Sequence, residues 1–116
     1  MVYPSQGILH TQTVVYWSKI GSMEIQNQDN GKKGRFFVEI NGNELAEMTY
    51  IWAGEDRFII DHTFVDEKLK GQGVGYKLVA AAVEMARNRS LSIIPLCPFA
   101  KSVFEKRADY ADVLVK

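Results

Sequence analysis

Between residues 69 and 75 the chain reads Leu69-Lys70-Gly71-Gln72-Gly73-Val74-Gly75, with a strand-like run before it and a helix-like run after it. Three glycines on alternate positions bare the backbone where a helix must begin. The first N–H groups of a helix have no acceptor inside it, and the helix dipole favours negative charge there. Such a turn suits an anion, and a pyrophosphate is the natural guest. Taken alone, the same glycines also suit a plain tight turn from strand to helix, so the order of elements around them has to decide.

Upstream of the turn the pattern is strand-like from Met23. Met23 to Gln28 reads as a short strand, and Asp29-Asn30-Gly31-Lys32-Lys33-Gly34 as a turn by composition. Arg35 to Ile40 is a second strand. Asn41-Gly42 follows, a pair that tolerates positive φ at both positions and so favours a two-residue hairpin. Leu45 to Trp52 alternates as a third strand, and Arg57 to Val65, mostly apolar, as a fourth. These four should form an antiparallel meander.

Downstream the period changes. Val74, Leu78, Ala81, Ala82 and Met85 recur at helical spacing, which predicts a long helix from about Gly73 to about Asn88. Leu91 to Leu96 reads as a fifth strand, and Pro95 near its end cannot donate to a ladder, so that end should splay. Pro98 suits the first turn of a short C-terminal helix. Tyr110 reads as an anchor for the tail. The fold class is α+β.

Composition narrows the partners. The 116 residues are enough for one domain. Lys+Arg and Asp+Glu both number 14, which argues against a nucleic-acid binder held by phosphate contacts. No apolar run reaches the length of a membrane span. The lone Cys97 has no partner for an internal disulfide, which suits a reducing compartment. Residues 1–22 differ from the rest: the apolar patch Val14-Val15-Tyr16-Trp17 has no basic stretch before it, and Lys19 follows it. A secretory signal is therefore not expected there. The expectation is a cytoplasmic protein with a poorly packed N-terminal extension over 1–22, Trp17 docking on the body, and a domain over 23–116.

Three glycine-loop chemistries compete. A Walker A loop needs lysine and then Ser or Thr after the last glycine, whereas Gly75 is followed by Tyr76-Lys77-Leu78. A dinucleotide fingerprint needs a third glycine where Tyr76 stands, and a parallel strand order. The third fits. Strand, Lys70-Gly71-Gln72-Gly73-Val74-Gly75 loop, long helix, splayed strand and short helix resemble the acetyl-CoA-binding core of the GNAT N-acetyltransferase superfamily, over roughly Met23 to Val113. Asp61-His62-Thr63 before the loop and Cys97-Pro98-Phe99-Ala100-Lys101 after the fifth strand further resemble the short YjdJ-type members.

The resemblance implies an acetyl-CoA-dependent N-acetyltransferase acting on a small-molecule amine or a protein. No metal, nucleic-acid partner or membrane is expected. Amides from Gln72 to Gly75 would hold the CoA pyrophosphate, with Lys70 supplying charge, and the pantetheine arm would lie between the fourth and fifth strands. The thioester carbonyl would sit near Thr63-Phe64-Val65, where a backbone N–H could stabilise an oxyanion. Loss of one such donor typically costs ~10²–10³ in rate.

Two residues are candidates for the proton and acyl chemistry. His62 is the candidate base, since an imidazole can take up a proton from an amine, and it equally suits a structural role in the sheet. Strict alternation would put Asp61 and Thr63 on one face, and His62 and Phe64 on the other. Cys97 falls where a sheet ends and a helix begins, a place that activates thiols, though most free cysteines are buried small hydrophobes. The superfamily pattern Asn-x-x-Ala-x-x-x-Tyr falls on Cys97 to Phe104, so cysteine replaces asparagine, and Phe104 replaces the tyrosine that often protonates the departing thiolate. Cys97 could compensate as the acid or as an acetyl-accepting nucleophile.

Larger superfamily members place helices between their first two strands to build the acceptor site, and here a few turn residues fill that gap. Three functions follow: direct transfer to an amine, self-acetylation at Cys97, or a non-enzymatic CoA-fold interaction module. The oligomeric state stays open.

Overall fold

The computed structural model describes residues 12–17, as backbone, and 24–115. Six strands form one sheet in sequence order: β1 (Gln12–Trp17), β2 (Glu24–Asp29), β3 (Lys33–Ile40), β4 (Asn43–Trp52), β5 (Arg57–Val65) and β6 (Ser92–Pro95). β1 to β5 run antiparallel, and β6 lies parallel to β5. Helix α1 (Val74–Arg89) crosses between the parallel pair, and α2 (Pro98–Lys106) follows β6.

The meander is one strand longer than the hydrophobic pattern predicts. Gln12–Trp17, inside the segment expected to be a poorly packed extension, pairs along its length with Glu24–Asp29. The rest of that segment and the Trp17 side chain lie outside the described residues. The β3–β4 connection is the two-residue turn expected from Asn41-Gly42, with φ of 53° and 83°. Two positive φ values match the right-handed twist of the flanking strands.

One face of the sheet carries the core. Ile25, Phe36, Met48, Tyr50, Phe58 and Ile60 are fully buried beneath Leu78, Val79, Ala82 and Met85 of α1. Alanines at 81, 82 and 86 bring the helix close to the strands. Arg87 and Arg89 sit in its last turn, where cations suit the dipole. Tyr110, expected as a tail anchor, is buried against Phe104 with ring centroids 5.8 Å apart. The tail then reaches the outer edge of β6, where the Val115 amide donates to the Ile93 carbonyl at 3.0 Å.

The opposite face has no helix over it among the described residues, and polar side chains dominate there. Arg35 donates to Gln28, Glu44 and Glu47 and lies 3.8 Å above the Phe37 ring. A buried polar knot ties the sheet near one edge. The Tyr50 hydroxyl donates to Asp29 at 2.6 Å and accepts from Asn27 at 3.0 Å, and burial pushes that phenol well above its ordinary pKa. Gly34 makes room for it, because a Cβ there would lie 2.4 Å from the Tyr50 hydroxyl.

Candidate active site

The site is built where the parallel pair comes apart. β5 and β6 pair from Arg57↔Ser92 to Ile60↔Pro95 and no further. The amides of Leu96 and Cys97 both turn in to the Ile60 carbonyl, at 3.0 Å each. Beyond Ile60, β5 continues to Val65 with β4 as its sole neighbour, so its other edge is free of strand partners among the described residues. Pro95 is the last paired residue of β6, but the amides that donate to the Ile60 carbonyl belong to the two residues after it, so its missing N–H takes nothing from the β5 ladder; the pairing ends where Leu96 and Cys97 both turn onto that one carbonyl.

A second device acts at the same point. The β4–β5 register slips between Thr49 and Tyr50: Tyr50 pairs with Ile60 and Thr49 with His62, leaving Asp61 as an extra residue. Such a bulge bends the strand and re-aims its side chains. It corrects the strict alternation expected from sequence. Asp61 shares the open face with His62 rather than the helix face with Thr63, and its carboxylate accepts from the Thr49 hydroxyl at 2.7 Å. Past the bulge, Thr63 and Val65 face the helices, while Phe64 is 47% exposed on the open side.

The turn after β5 is a short 3-10 segment, Glu67–Leu69, capped by the Asp66 carboxylate on the Lys68 amide. Gly71 and Gly73 follow with φ of 81° and 71°. Both are in the left-handed region that glycine enters without strain, and a Cβ on either would meet nothing within 4 Å. Gly75 is different. It is the second residue of α1, and a Cβ there would lie 2.7 Å from the Phe99 ring. Its bareness therefore serves the packing of α2 on α1, not an open approach to the backbone.

The amides divide in the same way. Gln72 already donates to the Leu69 carbonyl at 3.4 Å, so it is the weakest of the donors expected from Gln72 to Gly75. The N–H groups of Gly71, Gly73, Val74, Gly75 and Tyr76 have no acceptor among the described residues. They border a cleft of about 520 Å³. Thr63 and Val65 of β5 form one wall; Lys70, Gly71 and the start of α1 form another; Tyr76 and Phe99, an edge-on aromatic pair 5.5 Å apart, close the end.

Cys97 caps α2 and is buried, 4% exposed. Its Sγ lies 3.2 Å from the Thr63 Oγ1, so thiol and hydroxyl share a hydrogen bond across the split. His62 lies on the other face of β5 and is exposed. The sequence therefore nominated two groups that the sheet keeps apart: Cys97 on the cleft side, His62 on the open side. Sequence reasoning missed the Thr63 hydroxyl as the partner of Cys97, and it missed Tyr76 and Phe99 as the end wall. Phe104, at the position of the superfamily tyrosine, is buried against Tyr110.

A strand that splits from its parallel neighbour beside a glycine turn opening a long helix is the arrangement that the resemblance to the GNAT superfamily implies. Comparisons agree. Residues 35–113 match the family model of the GCN5-related N-acetyl-transferases. A GCN5-like protein from Staphylococcus aureus is 45% identical over 70% of this chain and 80% of that one, with a TM-score of 0.60. The ribosomal-protein-alanine N-acetyltransferase of Brucella melitensis biovar Abortus 2308 shares the fold at 17% identity and a TM-score of 0.56, over 66% of this chain and 61% of that one. An aminoglycoside acetyltransferase from an uncultured soil metagenome does so at 15% identity and 0.53, over 67% and 58%. No curated protein matches the chain. The chain belongs to the GCN5-related N-acetyltransferase family and is an acyltransferase of that class. No helix among the described residues is long and apolar enough to cross a membrane.

Proposed function

We propose that the protein transfers an acetyl group from acetyl-CoA directly to an amine. The observation that carries this reading is the run of amides at Gly71 and Gly73 to Tyr76, without acceptors among the described residues, beside a cleft that ends on the free edge of β5. A diphosphate supplies acceptors for those donors, with Lys70 adding charge. The extended pantetheine arm suits a strand edge, because it carries amide donors and acceptors of its own. Bound acetyl-CoA supplies the thioester carbonyl that an amine can attack.

The chain's own groups then divide the work by face. A backbone N–H on the free edge around Thr63 to Val65 stabilises the oxyanion as it forms. An amine reaching the split from the open face meets His62 before it meets the thioester. His62 takes its proton and leaves the nitrogen lone pair free. On the cleft side the Cys97 thiol, held by Thr63, donates a proton to the departing CoA sulfur and regains one from solvent. That role would otherwise fall to a tyrosine at the position of Phe104.

The test is a titration of the labelled full chain with acetyl-CoA, followed by amide shifts. Shifts centred on Gly71, Gly73 to Tyr76 and Thr63 to Val65 are expected. Shifts that leave the loop untouched would favour a non-enzymatic interaction module.

A second reading rests on the Thr63–Cys97 contact. The Cys97 sulfur attacks the thioester carbonyl, the bond to the CoA sulfur breaks, and the thiol proton passes to the released CoA. The product is an acetyl thioester on Cys97. Intact mass after incubation with acetyl-CoA separates the readings: a single acetyl adduct that Cys97→Ala abolishes supports self-acetylation. An unmodified chain that still turns over an amine supports direct transfer.

A further inference from the structure

The open face carries a concavity of its own, about 360 Å³, running from the β2–β3 turn to the bulge at Asp61. Four of its charged residues differ sharply in what they have left to offer. Asp29 is saturated: one oxygen accepts from the Gly31 amide at 2.7 Å, and the other from the Tyr50 hydroxyl and the Trp52 indole at 2.6 and 2.9 Å. Arg35 is committed to Gln28, Glu44 and Glu47.

Asp61 and Lys33 are not so committed. Asp61 accepts from Thr49 through one oxygen, and its second has no partner among the described residues. Lys33 is exposed and makes no ion pair among the described residues. They mark the two ends of the groove. Lys33 pairs across β3–β4 with Ile51, and Asp61 is the bulged residue of β5 beside Thr49. With β4 between their strands, their backbones are about 10 Å apart. Ile51, 42% exposed, gives the floor between them an apolar surface.

The position of Asp61 ties the groove to the reaction. It is adjacent to His62, on the same face, one residue past the last β5–β6 pair. We propose that this groove holds the acetyl acceptor, a short primary amine that carries an anionic group several bonds from its nitrogen. The ammonium sits on the free oxygen of Asp61, and the anion on Lys33. The proposal rests on the acetyltransferase reading above, and it names the substrate class for the same site. A polycation fits poorly, because the groove offers one free carboxylate among the described residues and Lys33 opposes a second positive charge.

The probes are δ-aminovalerate, which carries both groups, pentylamine, which lacks the acid, and spermidine. Each is titrated against the labelled full chain with acetyl-CoA present, reading amide shifts at Thr49, Ile51, Asp61 and Lys33. δ-Aminovalerate is expected to bind most tightly. Asp61→Asn keeps an acceptor for Thr49 and should weaken both δ-aminovalerate and pentylamine about tenfold or more. Lys33→Gln should weaken δ-aminovalerate alone, by several-fold. Both substitutions are on exposed residues, and acetyl-CoA affinity should hold in each. Tighter binding of spermidine, equal binding of pentylamine, an unchanged affinity in Asp61→Asn, or silence with all three probes would each overturn the proposal. Failure of the chain to bind acetyl-CoA overturns the parent reading instead, and it is scored separately from the probe shifts.

Discussion

The two faces of this sheet are held together by different physics. The helix-covered face is an apolar core in which Phe58 touches Tyr50 and Trp52 at ring separations of 4.9 and 5.5 Å, with no solvent exposure. The open face is a layer of paired charges and hydrogen bonds, with Phe64 and Ile51 half in solvent. Burial of large side chains stabilises by kilocalories each, whereas exposed ion pairs contribute tenths. The covered face therefore sets the fold. The open face is left free to vary its chemistry, and it is where an acceptor can arrive.

The largest effect that could break this contrast is a truncation on each face. Phe58→Ala should lose about 3–5 kcal/mol, a large share of the ~5–15 kcal/mol that a domain has in total. Phe64→Ala, on the same strand past the bulge, should change stability by no more than about 0.5 kcal/mol. Urea unfolding of both variants measures the difference. Equal losses would mean that the open face carries a core of its own.

The glycine turn sharpens the contrast at the border. Gly75→Ala drives a methyl into the Phe99 ring and should cost about 1–3 kcal/mol, reduced to the extent that the half-buried ring swings into the cleft. Gly73→Ala meets no neighbour and should cost only the strain of a left-handed φ, about 1–2 kcal/mol. The ring contact between Tyr76 and Phe99 distinguishes them: its nuclear Overhauser signal should weaken in Gly75→Ala and persist in Gly73→Ala. Persistence in both would show that Gly75 has slack that the packing does not suggest.

Much of the covered face was legible in the residues. Strand β5 has the predicted bounds, Arg57 to Val65, because its apolar run is set off by Gly54-Glu55-Asp56 and by the glycine turn. Helix α1 starts within a residue of its expected place because its apolar stripe has a clear 3.6 period. Features made by the backbone were not legible. β1 joins an edge through main-chain hydrogen bonds, which leave no periodic mark in Gln12 to Trp17. The bulge at Asp61 replaces nothing in the pattern and inserts one residue, so alternation counted back from Thr63 gives the wrong face for Asp61, and counted forward from Ile60 the wrong face for His62. In the sequence Gly75 is indistinguishable from Gly71 and Gly73 as part of one bare loop, since the approach of Phe99 from α2 is a tertiary fact. The Thr63–Cys97 bond spans 34 positions and two elements, with no spacing rule to announce it.

The smallest effect tests whether the open-face charges contribute to stability at all. Arg35 hydrogen-bonds Glu44 at 2.7 Å and holds that carboxyl below its ordinary range, while its own pKa is raised by the same bond. A carboxyl depressed in the folded state contributes stability above its unfolded pKa of ~4.3 and loses it as pH falls through the lower folded value. The raised Arg35 works in the opposite sense: its contribution is present below the ordinary guanidinium pKa and is lost only as pH rises through the still higher folded value, outside the range where the fold can be studied. The Glu44 side chain is 45% exposed, so solvent screening limits the pair to well under ~1 kcal/mol. Glu44→Gln should therefore differ from the parent by a few tenths of a kcal/mol at neutral pH, and the gap should close in urea titrations run below pH ~4. A gap that persists in acid would assign the effect to the Arg35 guanidinium stacked on Phe37, whose position Glu44 fixes, and would make the open face a packed surface and not merely a charged one.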